Sequence, residues 1–211
     1  MNYDEYYNEF YLWIREKIEY FAEMHKTSEY KENSLYIKDS ALFITFNYDN
    51  SKIGNDILSD GKLNIGEIQF NQLHHFYNLV CREIFGRKYN EVPLDQRPMC
   101  FASLDVNGTK YWNTMGEINN IHIHTVWMIH PDHIIHLKTV INNIMEYDKL
   151  YFKQIHIENL DNKDNLDMNL RNIIMYSLKF DRFNIHEANI EDNFRLYPDG
   201  LESNSYKLKN W

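Results

Sequence analysis

The stretch Ile121-His122-Ile123-His124-Thr125-Val126-Trp127-Met128-Ile129-His130 constrains this chain more than any other. It alternates apolar and polar residues, which is the period of a β-strand half-buried against a core. Side chains two apart on a strand share a face and rise roughly 6.6 Å along it. His122 and His124 therefore point the same way, close enough for one ion. Ile121, Ile123 and Trp127 point the other way. Two imidazoles on a rigid strand above an apolar floor make half of a metal site. A histidine on the wet face of a strand is the plainer explanation, and the pair alone does not choose between them.

The rest of the chain bounds what such a strand belongs to. Its 211 residues, 44% hydrophobic and 15% aromatic, suffice for one domain with appendages and argue against disorder. No apolar run approaches the ~20 residues that span a bilayer. Met1-Asn2-Tyr3-Asp4-Glu5 is acidic and aromatic, unlike a signal peptide. The expectation is a soluble, cytoplasmic protein with no membrane partner. Cys81 and Cys100 have no paired spacing and read as core thiols. The net charge of −9 sets a condition on any nucleic-acid partner: phosphates need local positive charge.

Apolar spacings of three and four predict an amphipathic helix over residues 3–25, through Phe10, Trp13, Ile14, Ile18 and Phe21. A polar connector follows over 26–34. Residues 41–47 are apolar on both faces, the mark of a central strand. A loop over 48–61 leads to a helix over 64–86, which Gly86 is placed to end. Pro98 to Val106 reads as a strand with Cys100, Ala102 and Leu104 on one face and Phe101, Ser103 and Asp105 on the other. Paired antiparallel with the histidine strand, it puts Asp105 on the histidine side. Pro131-Asp132 opens a helix to about residue 147, with Asp132 as its N-cap. His130, His133 and His136 at this junction read as structural. Residues 150–157 read as a further strand, and 165–179 as a helix. On that helix Leu166, Leu170, Ile173, Ile174 and Ser177 face the core, whereas Asn165, Asn169, Asn172, Tyr176 and Lys179 form one polar stripe.

The fold expected is α+β: an antiparallel sheet of about five strands with helices packed on one face, preceded by the N-terminal helix. Residues 1–33 would be helix and connector, 34–180 the main domain, and 181–211 a C-terminal extension.

Three segments, in this order, resemble motifs of the HUH endonucleases, specifically the single-tyrosine initiators of rolling-circle replication. Phe43-Ile44-Thr45-Phe46-Asn47 is loosely similar to the family's first motif. His122-Ile123-His124 is similar to its histidine–hydrophobic–histidine motif, and Tyr176-Ser177-Leu178-Lys179 to its Tyr-x-x-Lys motif. The resemblance spans about residues 41–180. It implies a ferredoxin-like nuclease domain in which Tyr176 attacks a DNA phosphodiester and becomes linked to the 5′ phosphate, with Lys179 supplying positive charge. It implies a divalent ion, Mn²⁺ or Mg²⁺, held by His122, His124 and a third ligand. Asp105 fits that place by strand parity, and Glu117 in the preceding loop is the fallback. Asn47, Lys153, Arg171 and Asn172 would contact single-stranded or hairpin origin DNA, and the many aromatics would stack on bases. No Gly-x-x-x-x-Gly-Lys motif is present, so helicase and polymerase would come from the host. Relaxases and single-tyrosine transposases share the chemistry. An RNA-processing domain of similar fold, or a non-catalytic acidic domain, are the competing classes. A phosphoesterase with paired His-x-Thr motifs does not fit, because Thr125 directly follows His124 and no second copy exists.

Overall fold

The structure, a computed structural model, describes residues 3–49, 51–53, 66–105, 121–146, 150–160, 166–178 and 193–198. Its helices are α1 (Tyr3–His25), α2 (Asn33–Ser40), α3 (Glu67–Phe85), α4 (Ile134–Glu146) and α5 (Leu166–Ser177). Its strands are β1 (Ala41–Tyr48), β2 (Met99–Asp105), β3 (His122–Met128), β4 (Phe152–Asn159) and β5 (Phe194–Tyr197). They form one five-stranded sheet in the order β4-β1-β3-β2-β5, antiparallel at every pairing.

The period of two along each strand divides the sheet into two faces. On one face Leu42, Ile44, Phe46, Cys100, Ala102, Leu104, Ile123 and Trp127 pack against α3 and α4. Thr125 lies on this face too. Its hydroxyl donates to Ile44 O at 2.8 Å and accepts from Trp127 Nε1 at 3.0 Å, so the buried indole N–H is satisfied. On the other face Phe43, Phe101, Val126 and Met128 pack against α1, α2 and α5. Helices therefore cover both faces, not one as expected. The apolar stripe of α1 explains the second layer: Phe10, Trp13, Ile14 and Ile18 are buried against the sheet.

Three further differences come from local chemistry. Part of the polar 26–34 connector and the residues after it form α2, which buries Tyr36 and Ile37. Asp132 does not cap α4. It sits in a 3₁₀ turn, Pro131–His133, whose cap is His130, with Nδ1 accepting from Asp132 N–H. The expected C-terminal extension supplies β5, which pairs with β2, so the sheet is not complete at residue 180. Gly86 does end α3: it has a positive φ and donates its N–H to Arg82 O. Cys81 and Cys100 are buried and unpaired, and burial pushes the Cys81 thiol up to about 11. No described helix is long and apolar enough to cross a membrane.

Candidate active site

The face covered by α1, α2 and α5 changes character along the strands. At one end it is apolar, with Ala41, Phe43, Val126 and Met128. At the other, register aligns polar side chains across four strands. Gln154, Asn47, His122 and Asp105 form one row, and His156, Thr45, His124 and Ser103 form the next.

Asp105 and His122 are direct partners across the β2–β3 ladder. One carboxylate oxygen of Asp105, Oδ2, lies 3.1 Å from His122 Nε2 and 3.3 Å from His124 Nε2. All three residues are buried, Asp105 completely. A fully buried carboxylate is costly unless it is paired or bound to a cation. The three donor atoms lie within 4.8 Å of one another, so the group is able to hold a metal ion.

His124 is held from its other side. Its Nδ1 lies 3.0 Å from Thr45 Oγ1, and its ring stacks on Phe43 with centroids 5.4 Å apart. With Nε2 given to an ion, Nδ1 carries the hydrogen and donates to the Thr45 hydroxyl, which fixes tautomer and ring plane. Ser103, beside His124 in the row, is fully buried and its Oγ has no hydrogen-bond partner among the described residues.

Tyr176 projects from α5 over this floor. Its ring centroid is 4.9 Å from that of His124 and 6.4 Å from that of Phe43. The residue is 48% exposed. The helical period that buries Leu170, Ile174 and Ser177 turns Tyr176 and Asn172 outward together. Both line an open cleft of about 670 Å³ that also reaches Asn47, His122, His124 and, on β4, Gln154, His156 and Glu158.

Of the residues singled out from the sequence, Asp105, His122, His124, Tyr176, Asn47 and Asn172 come together here. Two do not. Lys153 is exposed on β4 but does not line the cleft. Arg171, one residue from Asn172 and so turned by about 100° around the helix, reaches α1 instead. Its guanidinium donates to Asn8 Oδ1 at 3.3 Å and lies over the Tyr11 ring. No Lys or Arg lines the cleft among the described residues. Lys179 and Glu117 lie outside the described residues. Sequence reasoning misses Thr45, His156 and Glu158. Thr45 lies within the 43–47 segment, but only the β1–β3 pairing shows that it meets His124.

No protein-family model, curated protein or solved structure matches this chain.

Proposed function

We propose that this protein is a metal-dependent DNA strand-nicking enzyme that uses Tyr176 as its nucleophile. It would form a covalent 5′-phosphotyrosine intermediate and initiate rolling-circle replication of a plasmid or virus. What carries the proposal is the position of an exposed tyrosine ring 4.9 Å from a histidine that belongs to a buried two-histidine, one-carboxylate group. A tyrosine placed only to fill a core would be covered, and a surface tyrosine would have no reason to sit over such a group.

The chemistry needs a nucleophile, a positioned phosphate and compensation for charge that builds on the phosphate oxygens. A divalent ion held by Asp105, His122 and His124, with Mg²⁺ or Mn²⁺ suited to the donor set, supplies that compensation when bound. Thr45 and Phe43 keep His124 in place. The phenol oxygen of Tyr176 attacks phosphorus, and Lys179, three residues on in the sequence, would serve as the local positive charge, since no Lys or Arg among the described residues lines the cleft. Asn47 and Asn172 offer amides to the nucleotide on either side. Single-stranded or hairpin origin DNA is the proposed substrate, with helicase and polymerase supplied by the host. Strand transfer in mobilisation or transposition would use the same residues.

The test incubates the protein and Mn²⁺ with a pool of randomised single-stranded DNA and isolates protein-linked strands under denaturing conditions. The expected result is an adduct of defined sequence that requires the metal and disappears in Tyr176→Phe. Absence of any adduct, or equal adduct from Tyr176→Phe, overturns the proposal.

A further inference from the structure

The cleft extends past the histidines to β4, where a second pair of titratable groups stands. His156 Nε2 lies 2.9 Å from Glu158 Oε1. Both side chains are more than half exposed, and both line the cleft. Residues two apart on a strand share a face, and the β1–β4 register makes that face the one that carries the metal-binding group: Thr45 is paired with His156 on one side and with His124 on the other. Two strand spacings, about 9.6 Å, separate the backbones of His156 and His124. Tyr176 packs over His124 and Phe43, which belong to β3 and β1. His156 therefore stands at the β4 side of the cleft, beyond the strand under the tyrosine.

A carboxylate only accepts hydrogen bonds, so Nε2 carries a hydrogen toward Glu158 and Nδ1 is left as the ring nitrogen able to exchange a proton. This is a histidine oriented by a carboxylate, the arrangement that makes an imidazole a directed acid or base. In phosphoryl transfer the attacking and leaving oxygens lie roughly in line through phosphorus. With Tyr176 over β3 and β1, a leaving oxygen opposite the nucleophile would have the β4 side of the cleft, where His156 and Glu158 stand, within its reach.

We propose that His156 is the general acid for the leaving 3′ oxygen and that Glu158 is its positioning residue; this rests on the tyrosine-nickase function above. The phenol of Tyr176 gives its proton to solvent and its oxygen bonds to phosphorus. The bond from phosphorus to the 3′ oxygen breaks, and that oxygen leaves with the electron pair. It takes the Nδ1 proton of the His156 imidazolium, which solvent then restores. Resealing runs the same path backward, with neutral His156 as the base that accepts the 3′ hydroxyl proton.

The experiment uses the DNA sequence recovered from the randomised pool, made in two forms. One carries the natural bridging 3′ oxygen and the other carries sulfur there. A thiolate, with a pKa of about 8.5 for the thiol, leaves without help from an acid. Adduct formation is timed for the wild type, His156→Ala, Glu158→Gln and Tyr176→Phe, all with Mn²⁺. On the oxygen substrate His156→Ala is expected to be slower by about 10²- to 10⁴-fold, and Glu158→Gln by less. On the sulfur substrate both return to within about tenfold of wild type, whereas Tyr176→Phe stays inactive. Equal losses on oxygen and sulfur, or no loss on oxygen, overturn the acid role of His156 while leaving the nickase function intact. A randomised pool that yields no protein-linked strand overturns the nickase function, and the acid role with it. Both β4 side chains are exposed on an edge strand, so the variants keep the fold, which a thermal melt checks.

Discussion

Asp105 Oδ2 and His122 Nε2 lie 3.1 Å apart because their strands set the two residues directly opposite one another. The same oxygen reaches His124 at 3.3 Å. A single carboxylate oxygen thus gathers both imidazoles, and the group is built on strands rather than on loops, which holds its geometry tightly.

Removing that oxygen's charge should uncouple metal from stability. At a Mn²⁺ concentration 100 times Kd, a ligand that binds only the folded state adds about 2.7 kcal/mol. For a chain of this size that raises Tm by about 5–10 °C. Asp105→Asn keeps the shape of the side chain but weakens the site, so its Tm should move by less than about 2 °C at the same Mn²⁺ concentration. Thermal unfolding with Mn²⁺ and with chelator measures both. An equal rise in wild type and Asp105→Asn would show that the ion binds elsewhere.

Much of this site is legible in the amino-acid sequence. The period of two carries facing from residue to residue, so the apolar Cys100, Ala102 and Leu104 are enough to send Asp105 to the opposite face. The helical period does the same for Tyr176, given Leu170 and Ile174. What stays hidden depends on which strands are neighbours. β1 is apolar on both faces at its start, so nothing in its own pattern announces that Thr45 meets His124. His156 and Glu158 acquire meaning only when β4 pairs with β1. The four residues of β5 are too short a run to stand out from the surrounding polar sequence. Helices on both faces are hidden for a related reason: an amphipathic helix shows that it has a buried side, but not which surface buries it.

A second histidine cluster gives a pH dependence of its own. The rings of His130, His133 and His136 follow one another at 5.7 and 5.9 Å. Burial, then His130 and His136, push the pKa of His133 below its usual 6.5, and its buried Nδ1 has no hydrogen-bond partner among the described residues. The folded state then binds a proton less readily than the unfolded chain does. Stability from this group is therefore fully present above pH 6.5 and is lost as pH falls through the lowered folded pKa. His133→Gln should flatten the fall in denaturation midpoint as pH is lowered below 6.5. Urea titrations of both proteins at several pH values measure it, and an unchanged slope would assign the acid sensitivity to other groups.

Phe43 links the two halves of the site, because its ring meets both His124 and Tyr176. Phe43→Leu keeps an apolar side chain of similar reach and should cost about 1–2 kcal/mol of stability. Adduct formation should suffer more, by about 10- to 100-fold, because a displacement of about 1 Å in a reacting group is enough for that. Mn²⁺ affinity, set by Asp105 and His122 as well as His124, should fall much less. Comparing adduct rate with Mn²⁺ affinity in this variant separates alignment of the tyrosine from binding of the ion. Parallel losses in both would mean that Phe43 acts only through the metal ligands.

Thr45 offers the sharpest separation of metal binding from folding. Its hydroxyl is 3.0 Å from His124 Nδ1, and its position in the middle of β1 suits any β-branched side chain. Thr45→Val keeps that shape and removes the hydroxyl. In the metal-free protein His124 can still donate from Nε2 to Asp105, so the fold should lose only the hydroxyl's bond to the buried Nδ1, about 1–3 kcal/mol. In the metal-bound protein Nε2 is committed to the ion, Nδ1 must carry the hydrogen, and valine gives it nothing to donate to. Loss of such an orienting partner typically weakens metal binding by about 10- to 100-fold. Thr45→Ser, which restores the hydroxyl on a smaller side chain, should recover most of that affinity. Mn²⁺ titrations of the three proteins, followed by electron paramagnetic resonance of the free ion, decide the matter. If valine and threonine bind Mn²⁺ equally well, His124 is not oriented through Thr45.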